Sequence, residues 1–207
     1  MNFESLIFDI DGTLLDSRQV VAEGYNVQLR SEGLERYLVS KESLTPLFGK
    51  TLDEIAVRLF PDFQKEAAVR TAARCIETSK SYFAADPRSG AYPGLKETME
   101  ALAGKYRLFI VSNCEKGYPE ICMKKLGITD LIEGHLCFGN TGTKKGDTIL
   151  RLMKEHHIQS AAYIGDTQGD LEAARDAGIP FIWSAYGFGS PAEWEWKIEQ
   201  ASDLLNM

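Results

Sequence analysis

The sequence contains no long hydrophobic run and few cysteines. No apolar stretch approaches the roughly 20 residues that a membrane-spanning helix needs, and the opening MNFESLIFDI matches neither a signal peptide nor a membrane span. We therefore expect no membrane partner. The cysteines form no CxxC pair and no zinc-type spacing, so we interpret them as reduced thiols of a cytoplasmic protein. They are Cys75, Cys114, Cys122 and Cys137.

Positive charge is also scarce. The 23 lysines and arginines are outnumbered by 30 aspartates and glutamates, which gives a net charge of -7. A surface of this sign argues against nucleic acid or an anionic membrane as the main partner. Any anionic substrate must then be met by local positive charge. With 207 residues, 44% of them apolar, the chain can bury a full core as one large domain or as one domain carrying an insertion.

The stretch LIFDIDGTLLDS, residues 6–17, organises the rest of the chain. A short apolar run leads directly into Asp9 and Asp11, and Gly12 follows them. This pattern is typical of a buried parallel strand that presents polar groups at its carboxyl end. Asp9 and Asp11 begin on the same face, where two carboxylates repel each other unless a proton or a cation lies between them. The alternative is an Asp-Gly turn whose carboxylates only cap backbone donors.

A helical segment interrupts the sheet pattern after this first strand. The sequence stays helical for about seventy residues, which is longer than an ordinary crossover connection. Thr51 and Glu54 predict a capping box for a helix that runs to Leu59, and the turn-rich residues 86–90 predict the return. We therefore predict a helical cap domain at residues 17–88, inserted into a core domain formed by residues 1–16 and 89–207.

From Tyr92 onward, strands and helices alternate. The alternation predicts an α/β core with a doubly wound, Rossmann-like parallel sheet. The further strands are predicted near residues 108–111, 135–138, 161–164 and 180–183. In the tail, Trp194, Ile198, Ala201 and Leu205 stand at helical spacing and predict a final helix that packs on the sheet.

Polar residues follow three of the predicted strands. The two aspartates of the first strand, Ser112–Asn113 after the second, and Asp166 after a later one stand at corresponding positions. Carboxyl ends of parallel strands meet at one crevice, so we expect these side chains to lie close together. Ser112 taken alone is equally explained as a helix cap.

Acidic residues dominate this predicted crevice. Asp170 stands four residues after Asp166, either as an ordinary first-turn helix residue or as part of the site. Unit charges about 4 Å apart repel by several kcal/mol even at an effective dielectric near 20, so converging carboxylates require cations. Hard oxygen ligands of this kind suit Mg²⁺.

Four stretches resemble, in order, the motifs of the haloacid dehalogenase superfamily, in particular its phosphoglycolate phosphatase and β-phosphoglucomutase-like subgroup. They are FDIDGTLLDS at 8–17, Ser112–Asn113, Lys145–Asp147 and IGDTQGD at 164–170. The lysine that this family carries in the third stretch matches Lys145. The proline that usually follows it is missing, so Lys144 remains the alternative.

The resemblance implies a reaction through an aspartyl-phosphate. Asp9 would be the nucleophile that attacks phosphorus. Asp11 would protonate the leaving oxygen and then activate water as the general base, and its backbone carbonyl would contact the metal. Lys145 would balance the charge of the nucleophile and the phosphate.

The resemblance also implies the groups that hold the phosphate and the ion. Ser112 and Asn113 would bind phosphate oxygens, and backbone N–H groups around Gly12 would complete the cradle. Asp166 would bind Mg²⁺ together with Asp9 and Asp11. Asp170 would lie behind Asp166 or act as a further ligand.

Within the family, Asp11 favours phosphate monoester hydrolysis, because dehalogenases and phosphonate-cleaving members lack this acid. Sugar-phosphate mutases carry a histidine in the first cap segment, and none of the 3 histidines here stands there, so a mutase is the weaker alternative. A binding or regulatory module without turnover is a further alternative, which the intact motif residues disfavour. Lys50 resembles a substrate-facing lysine of the cap loop, and a solvated surface lysine explains it equally well.

We therefore expect a cytoplasmic, Mg²⁺-dependent phosphatase that acts on a small phosphorylated metabolite such as phosphoglycolate, a sugar phosphate, a nucleotide or pyrophosphate. The expected assembly is a monomer or a weak homodimer. We also expect cap motion to admit the substrate and exclude water.

Overall fold

The computed structural model describes residues 3–207, and these divide into two compact units. The core unit comprises the chain up to Asp16 together with Gly90–Met207, and the helical unit comprises Ser17–Ser89. The sequence pattern sets the end of the insert at residue 88, one residue before the division made by the contacts. No helix in the described part of the chain has both the length and the apolar character needed to cross a bilayer.

The core unit is built on a six-stranded parallel sheet with the strand order β3-β2-β1-β4-β5-β6. This order reverses direction between β1 and β4, as it does in doubly wound sheets. The predicted doubly wound α/β fold is confirmed. The strands are β1 (Ser5–Phe8), β2 (Arg107–Ser112), β3 (Gly134–Cys137), β4 (Ala161–Gly165), β5 (Phe181–Ser184) and β6 (Trp196–Ile198).

Helices of both units follow the amphipathic spacing of the sequence. Those of the helical unit are α1 (Arg18–Ser31), α2 (Lys41–Leu44), α3 (Leu52–Leu59) and α4 (Lys65–Ala85). Those of the core unit are α5 (Leu95–Ala103), α6 (Tyr118–Leu126), α7 (Phe138–Thr141), α8 (Lys145–Glu155) and α9 (Gln168–Asp176). Short 3₁₀ turns span Glu35–Tyr37, Thr45–Leu47, Thr129–Leu131 and Ala201–Asn206.

The centre of the sheet is apolar on both faces. The register partners Ile7 and Phe109 are buried on one face, and the partners Phe8 and Ile110 are buried on the other. Strands covered on both faces need a continuous apolar run rather than an alternating one, which is the pattern of LIF in β1 and LFIV in β2. Burying one such large apolar side chain contributes about 1.5–3 kcal/mol, so this packing holds the strand ends in register.

The helical unit has its own apolar core, formed where α4 packs against α1 and α3. Tyr25 and Phe60 are buried in it. The predicted capping box is confirmed, because the backbone N–H of Thr51 donates to the Glu54 carboxylate over 2.9 Å at the start of α3.

The predicted helix at the end of the chain is wrong. Trp196–Ile198 instead forms β6, parallel to β5, and only the 3₁₀ turn at Ala201–Asn206 follows. The backbone N–H of Ala185 donates to the Ile198 carbonyl over 2.9 Å, so this segment satisfies backbone groups that β5 would otherwise leave open at the sheet edge. Trp194 lies outside any helix and is 43% exposed, and its ring centroid lies 4.7 Å from that of Trp183 on β5.

Candidate active site

The carboxyl ends of β1, β2 and β4 bring the site together. The backbone N–H of Asp9 donates to the Ile164 carbonyl over 2.8 Å, which ties the end of β1 to the end of β4. Asp9 is 4% exposed and Asp166 is fully buried. Ser112 closes β2 beside them, because the register pairs Phe8 with Ile110. The polar strand ends therefore meet at one edge of the sheet, as parallel pairing requires.

Lys145 joins two of the carboxylates. Its Nζ donates to Asp9 Oδ1 over 2.9 Å and to Asp170 Oδ1 over 2.6 Å. The side chains of the three residues are at most 6% exposed. Tyr163 presents its ring to the ammonium group at 5.7 Å. Lys144, the alternative from the sequence, is exposed, so the first residue of α8 supplies the buried positive charge.

Backbone amides hold Asp166 through one of its two carboxylate oxygens. Its Oδ2 accepts hydrogen bonds from the backbone N–H groups of Phe188, over 2.6 Å, and of Gly189, over 3.3 Å. Its Oδ1 is buried and has no hydrogen-bond partner within residues 3–207. A buried carboxylate oxygen without a donor is costly, which makes this atom an available ligand for a cation.

Both carboxylate oxygens of Asp170 accept hydrogen bonds. Its Oδ2 accepts from the backbone N–H and the hydroxyl of Thr167, over 2.9 and 2.6 Å, and from the backbone N–H of Asp166 over 3.2 Å. Its Oδ1 accepts from Lys145. Asp170 thus fixes the turn from β4 into α9 and the position of the lysine at the same time.

Burial and mutual repulsion set the protonation of the carboxylates. Burial raises the pKa of Asp166 to about 8, and the charges of Asp170 and Asp9 act in the same direction. Burial also raises the pKa of Asp9 to about 6, against the opposing effect of Lys145. Although burial disfavours the charged form of Asp170, its charge and hydrogen-bond interactions with Lys145 hold its pKa below the usual value.

Burial and the neighbouring charges act on the pKa of Lys145 in opposite directions. Burial alone would lower the pKa of Lys145, but the charges of Asp170 and Asp9 raise it well above the usual value. Its positive charge is therefore permanent at neutral pH. This fixed charge faces the nucleophile candidate Asp9 across a hydrogen bond.

The residues present fit a divalent cation. Asp9, Asp166 and Asp170 each offer a carboxylate oxygen, and these oxygens lie within 4.8 Å of one another. The orphaned Oδ1 of Asp166 belongs to this group. Hard carboxylate oxygens are the ligands that Mg²⁺ takes from proteins.

Two glycines allow the chain to approach Asp166 closely. A Cβ at Gly12 would lie 2.3 Å from Asp166 Oδ2, and the φ angle of +88° at this residue also disfavours side chains. A Cβ at Gly187 would lie 2.3 Å from the Asp166 Cβ and 2.5 Å from the Gly12 carbonyl oxygen. Both positions therefore exclude larger residues.

The remaining residues singled out by the sequence lie in different places. Asp11 is half-buried just beyond β1, where it contacts Tyr118, and Asn113 is half-buried just after Ser112 in the loop that follows β2. Ser112 is 6% exposed. Lys50 belongs to the helical unit and lies partly exposed before α3.

Several residues of the site were missed by the sequence reasoning. The first is Tyr118, whose hydroxyl donates to Asp11 Oδ1 over 2.8 Å. The second is the segment Gly187–Gly189, which supplies the amides for Asp166. The sequence signal for this segment is Gly187 and Gly189 shortly after an apolar strand, as Gly12 stands shortly after β1. Tyr118 had no comparable local signal.

Comparisons with known proteins find relatives that match most of the chain. The chain is 27% identical over 191 residues to a phosphoglycolate phosphatase of Aquifex aeolicus, with coverage of 88% of this chain and 85% of the relative. It is also 27% identical over 189 residues to a phosphoglycolate phosphatase of Agrobacterium fabrum, with coverage of 88% and 80%.

Solved structures share the fold. A predicted phosphoglycolate phosphatase from Haemophilus somnus superposes with a TM-score of 0.86 at 24% identity, covering 100% of this chain and 98% of that one. A haloacid dehalogenase-like family hydrolase from Streptococcus pneumoniae gives a TM-score of 0.81 at 20% identity, with coverage of 99% and 97%. The family model described as haloacid dehalogenase-like hydrolase matches residues 6–184. The chain therefore belongs to the haloacid dehalogenase-like hydrolase family.

Proposed function

We propose that this protein is a Mg²⁺-dependent phosphatase that hydrolyses a small phosphorylated metabolite through an aspartyl-phosphate on Asp9. One observation carries the proposal: a buried lysine contacts Asp9 at the point where three carboxylates converge. Family membership and the names of the relatives support phosphatase activity. The site matches that chemistry, because it offers a nucleophile, a fixed positive charge and hard ligands.

In the proposed reaction, a carboxylate oxygen of Asp9 attacks phosphorus as the bond from phosphorus to the ester oxygen breaks. Asp11 gives its proton to the departing oxygen. Water then attacks the phosphoryl group, Asp11 takes a proton from that water, and Asp9 is regenerated. Ser112 and Asn113 would hold the phosphate oxygens, with backbone N–H groups near Gly12.

Each charged residue of the site has a different electrostatic role in the proposed reaction. Lys145 balances negative charge on Asp9 and on the phosphate. Asp166 would hold Mg²⁺ together with Asp9 and the Asp11 carbonyl, and the bound ion would neutralise charge on the transferring phosphoryl group. Asp170, whose oxygens are already engaged, would support this set chiefly by fixing Lys145 and the turn after β4.

We propose the helical unit as a cap that selects the substrate. In sequence it stands between β1 and β2 of the core, the place of the cap in the family motif order. The names of the relatives make phosphoglycolate the first substrate to try, and sugar phosphates, nucleotides and pyrophosphate remain candidates. Cytoplasmic localisation and a monomer or weak homodimer stay predictions.

The decisive experiment measures phosphate release from p-nitrophenyl phosphate with and without Mg²⁺. We expect Mg²⁺-dependent turnover that Asp9→Asn abolishes. A panel of phosphorylated metabolites then identifies the substrate. Intact ligand binding without turnover on any phosphoester would instead indicate a binding module, and transfer of phosphate within a sugar phosphate would indicate a mutase.

A further inference from the structure

The proposed reaction leaves one buried contact of the site unexplained. The hydroxyl of Tyr118 donates to Asp11 Oδ1 over 2.8 Å, although the two residues are 107 positions apart in the sequence. Tyr118 is 8% exposed, and Asp11 is half-buried. A hydroxyl can donate to one oxygen of a carboxyl group whether or not the other oxygen carries a proton, so this bond restricts rotation of the group in both protonation states.

The fold brings this tyrosine to Asp11 through the chain after β2. Tyr118 is the first residue of α6, and Pro119 follows it in the first turn, where a missing N–H costs nothing. Since β1 and β2 are parallel neighbours, the start of α6 and the residues after β1 lie at the same edge of the sheet. The position of Tyr118 is therefore set by the same strands that place Asp9 and Ser112.

A buried thiol beside Tyr118 competes only weakly for the hydroxyl proton. This thiol belongs to Cys122, which lies one turn along α6, is fully buried and interacts with the Tyr118 side chain. Burial, followed by the charge of Asp11, raises the pKa of the Cys122 thiol well above its usual value. A neutral thiol is a weak acceptor, so the tyrosine proton points to the carboxylate.

We propose that Tyr118 is a positioning residue for Asp11: its hydroxyl holds the carboxyl group in the orientation from which it exchanges protons with the ester oxygen and with water. The inference rests on the proposed function. Tyr118 keeps its own proton throughout. The proton that reaches the leaving oxygen comes from Asp11, and the one removed from water returns to Asp11.

The leaving group distinguishes positioning from a purely structural role. An alcohol such as the glycolate of phosphoglycolate departs only when its oxygen is protonated, whereas 2,4-dinitrophenolate departs without a proton. Tyr118→Phe removes only the hydroxyl. Loss of one partner of a partly buried hydrogen bond corresponds to about a 10- to 100-fold effect on rate, so we expect kcat for an alkyl phosphate to fall by about this factor.

The test compares phosphoglycolate, or the best alkyl phosphate of the panel, with 2,4-dinitrophenyl phosphate. In Tyr118→Phe, the pre-steady-state burst of dinitrophenolate should stay within about threefold of wild type, followed by slower steady turnover because Asp11 must still activate water. The burst amplitude counts the active sites, so the alkyl turnover is divided by that amplitude and partial misfolding leaves the test intact. Tyr106→Phe, just before β2 at the opposite end of that strand, is the matched control.

A double variant completes the test. If Tyr118 acts through Asp11, adding Tyr118→Phe to Asp11→Asn should cause no further loss. Equal losses on both substrates in an active enzyme, or additive losses in the double variant, would overturn the inference alone. A wild-type protein that releases phosphate from neither ester would overturn the proposed function, and the positioning role with it.

Discussion

Replacing Lys145 by methionine tests how the buried charges are balanced. Methionine keeps most of the length of the side chain and removes only the ammonium group, which lies 2.9 Å from Asp9 Oδ1 and 2.6 Å from Asp170 Oδ1. The side chains involved are at most 6% exposed, so solvent screens these pairs weakly. The variant leaves two buried carboxylates without their common partner.

The magnitude follows from these distances. At an effective dielectric near 20, each lysine–carboxylate pair contributes about 6 kcal/mol of Coulomb attraction. The cost of dehydrating the ammonium group offsets much of it, and removing one partner of a buried pair costs about 3–5 kcal/mol in measured cases. For a chain of this size we therefore expect the melting temperature of the core unit to fall by about 6–20 °C.

Intrinsic fluorescence isolates the core unit in this measurement. All 3 tryptophans, Trp183, Trp194 and Trp196, belong to it and none to the helical unit. Melting followed by tryptophan emission in the presence of EDTA therefore reports the unit that contains Lys145. Saturating Mg²⁺ should recover part of the loss in Lys145→Met, because the ion supplies positive charge to the same carboxylates.

Lys144→Met is the matched control. This neighbouring lysine is exposed, so the same substitution should change stability by less than about 0.5 kcal/mol. If Lys145→Met melts at the same temperature as Lys144→Met in EDTA, the buried pairs do not stabilise the fold. The charge argument for the site would then be refuted.

Further predictions address the carboxylates and their supports. Asp9→Asn should abolish phosphate release yet shift melting far less than Lys145→Met, because it removes repulsion as well as attraction; comparable melting losses would contradict this. Gly187→Ala should raise the Mg²⁺ concentration for half-maximal activity by about 10- to 100-fold, because its Cβ displaces Asp166, whereas Gly104→Ala, with ordinary space around it, should not. Mg²⁺ at about 100 times its dissociation constant should stabilise the core by about 2.7 kcal/mol, reversed by EDTA; an unchanged melting curve would contradict a site there.

The local sequence was sufficient to predict where the polar residues at the strand ends lie. An apolar run that leads into Asp9 determines both the strand and the position of its carboxylate, because burial of the strand and parallel pairing leave one edge for the polar end. The same reasoning located Ser112 and Asp166 at that edge. The site lysine could not be assigned from the local pattern alone, because both Lys144 and Lys145 fitted it. The phase of α8 decides between them by burying Lys145 alone.

The last strand and the amide contacts to Asp166 depended on distant parts of the chain. Spacing at Trp194 and Ile198 fits a helix, but an open edge of β5 offered backbone partners that a helix could not satisfy. Short apolar segments do not by themselves distinguish these outcomes. Phe188 contributes through its backbone N–H, which no side-chain pattern reports.

The buried charges of the site destabilise the fold but suit the binding of a cation. Three carboxylates and one ammonium group carry a formal charge of -2 when all are ionised, and burial resists that charge by raising the pKa of Asp166 to about 8. A fold selected for stability alone would replace such a cluster with apolar residues. Here two amides and two close glycine contacts instead hold Asp166 in place with one oxygen unsatisfied among the described residues. This unfavourable charge supports the proposed site for a divalent cation and a phosphate, in which Lys145 limits the electrostatic cost.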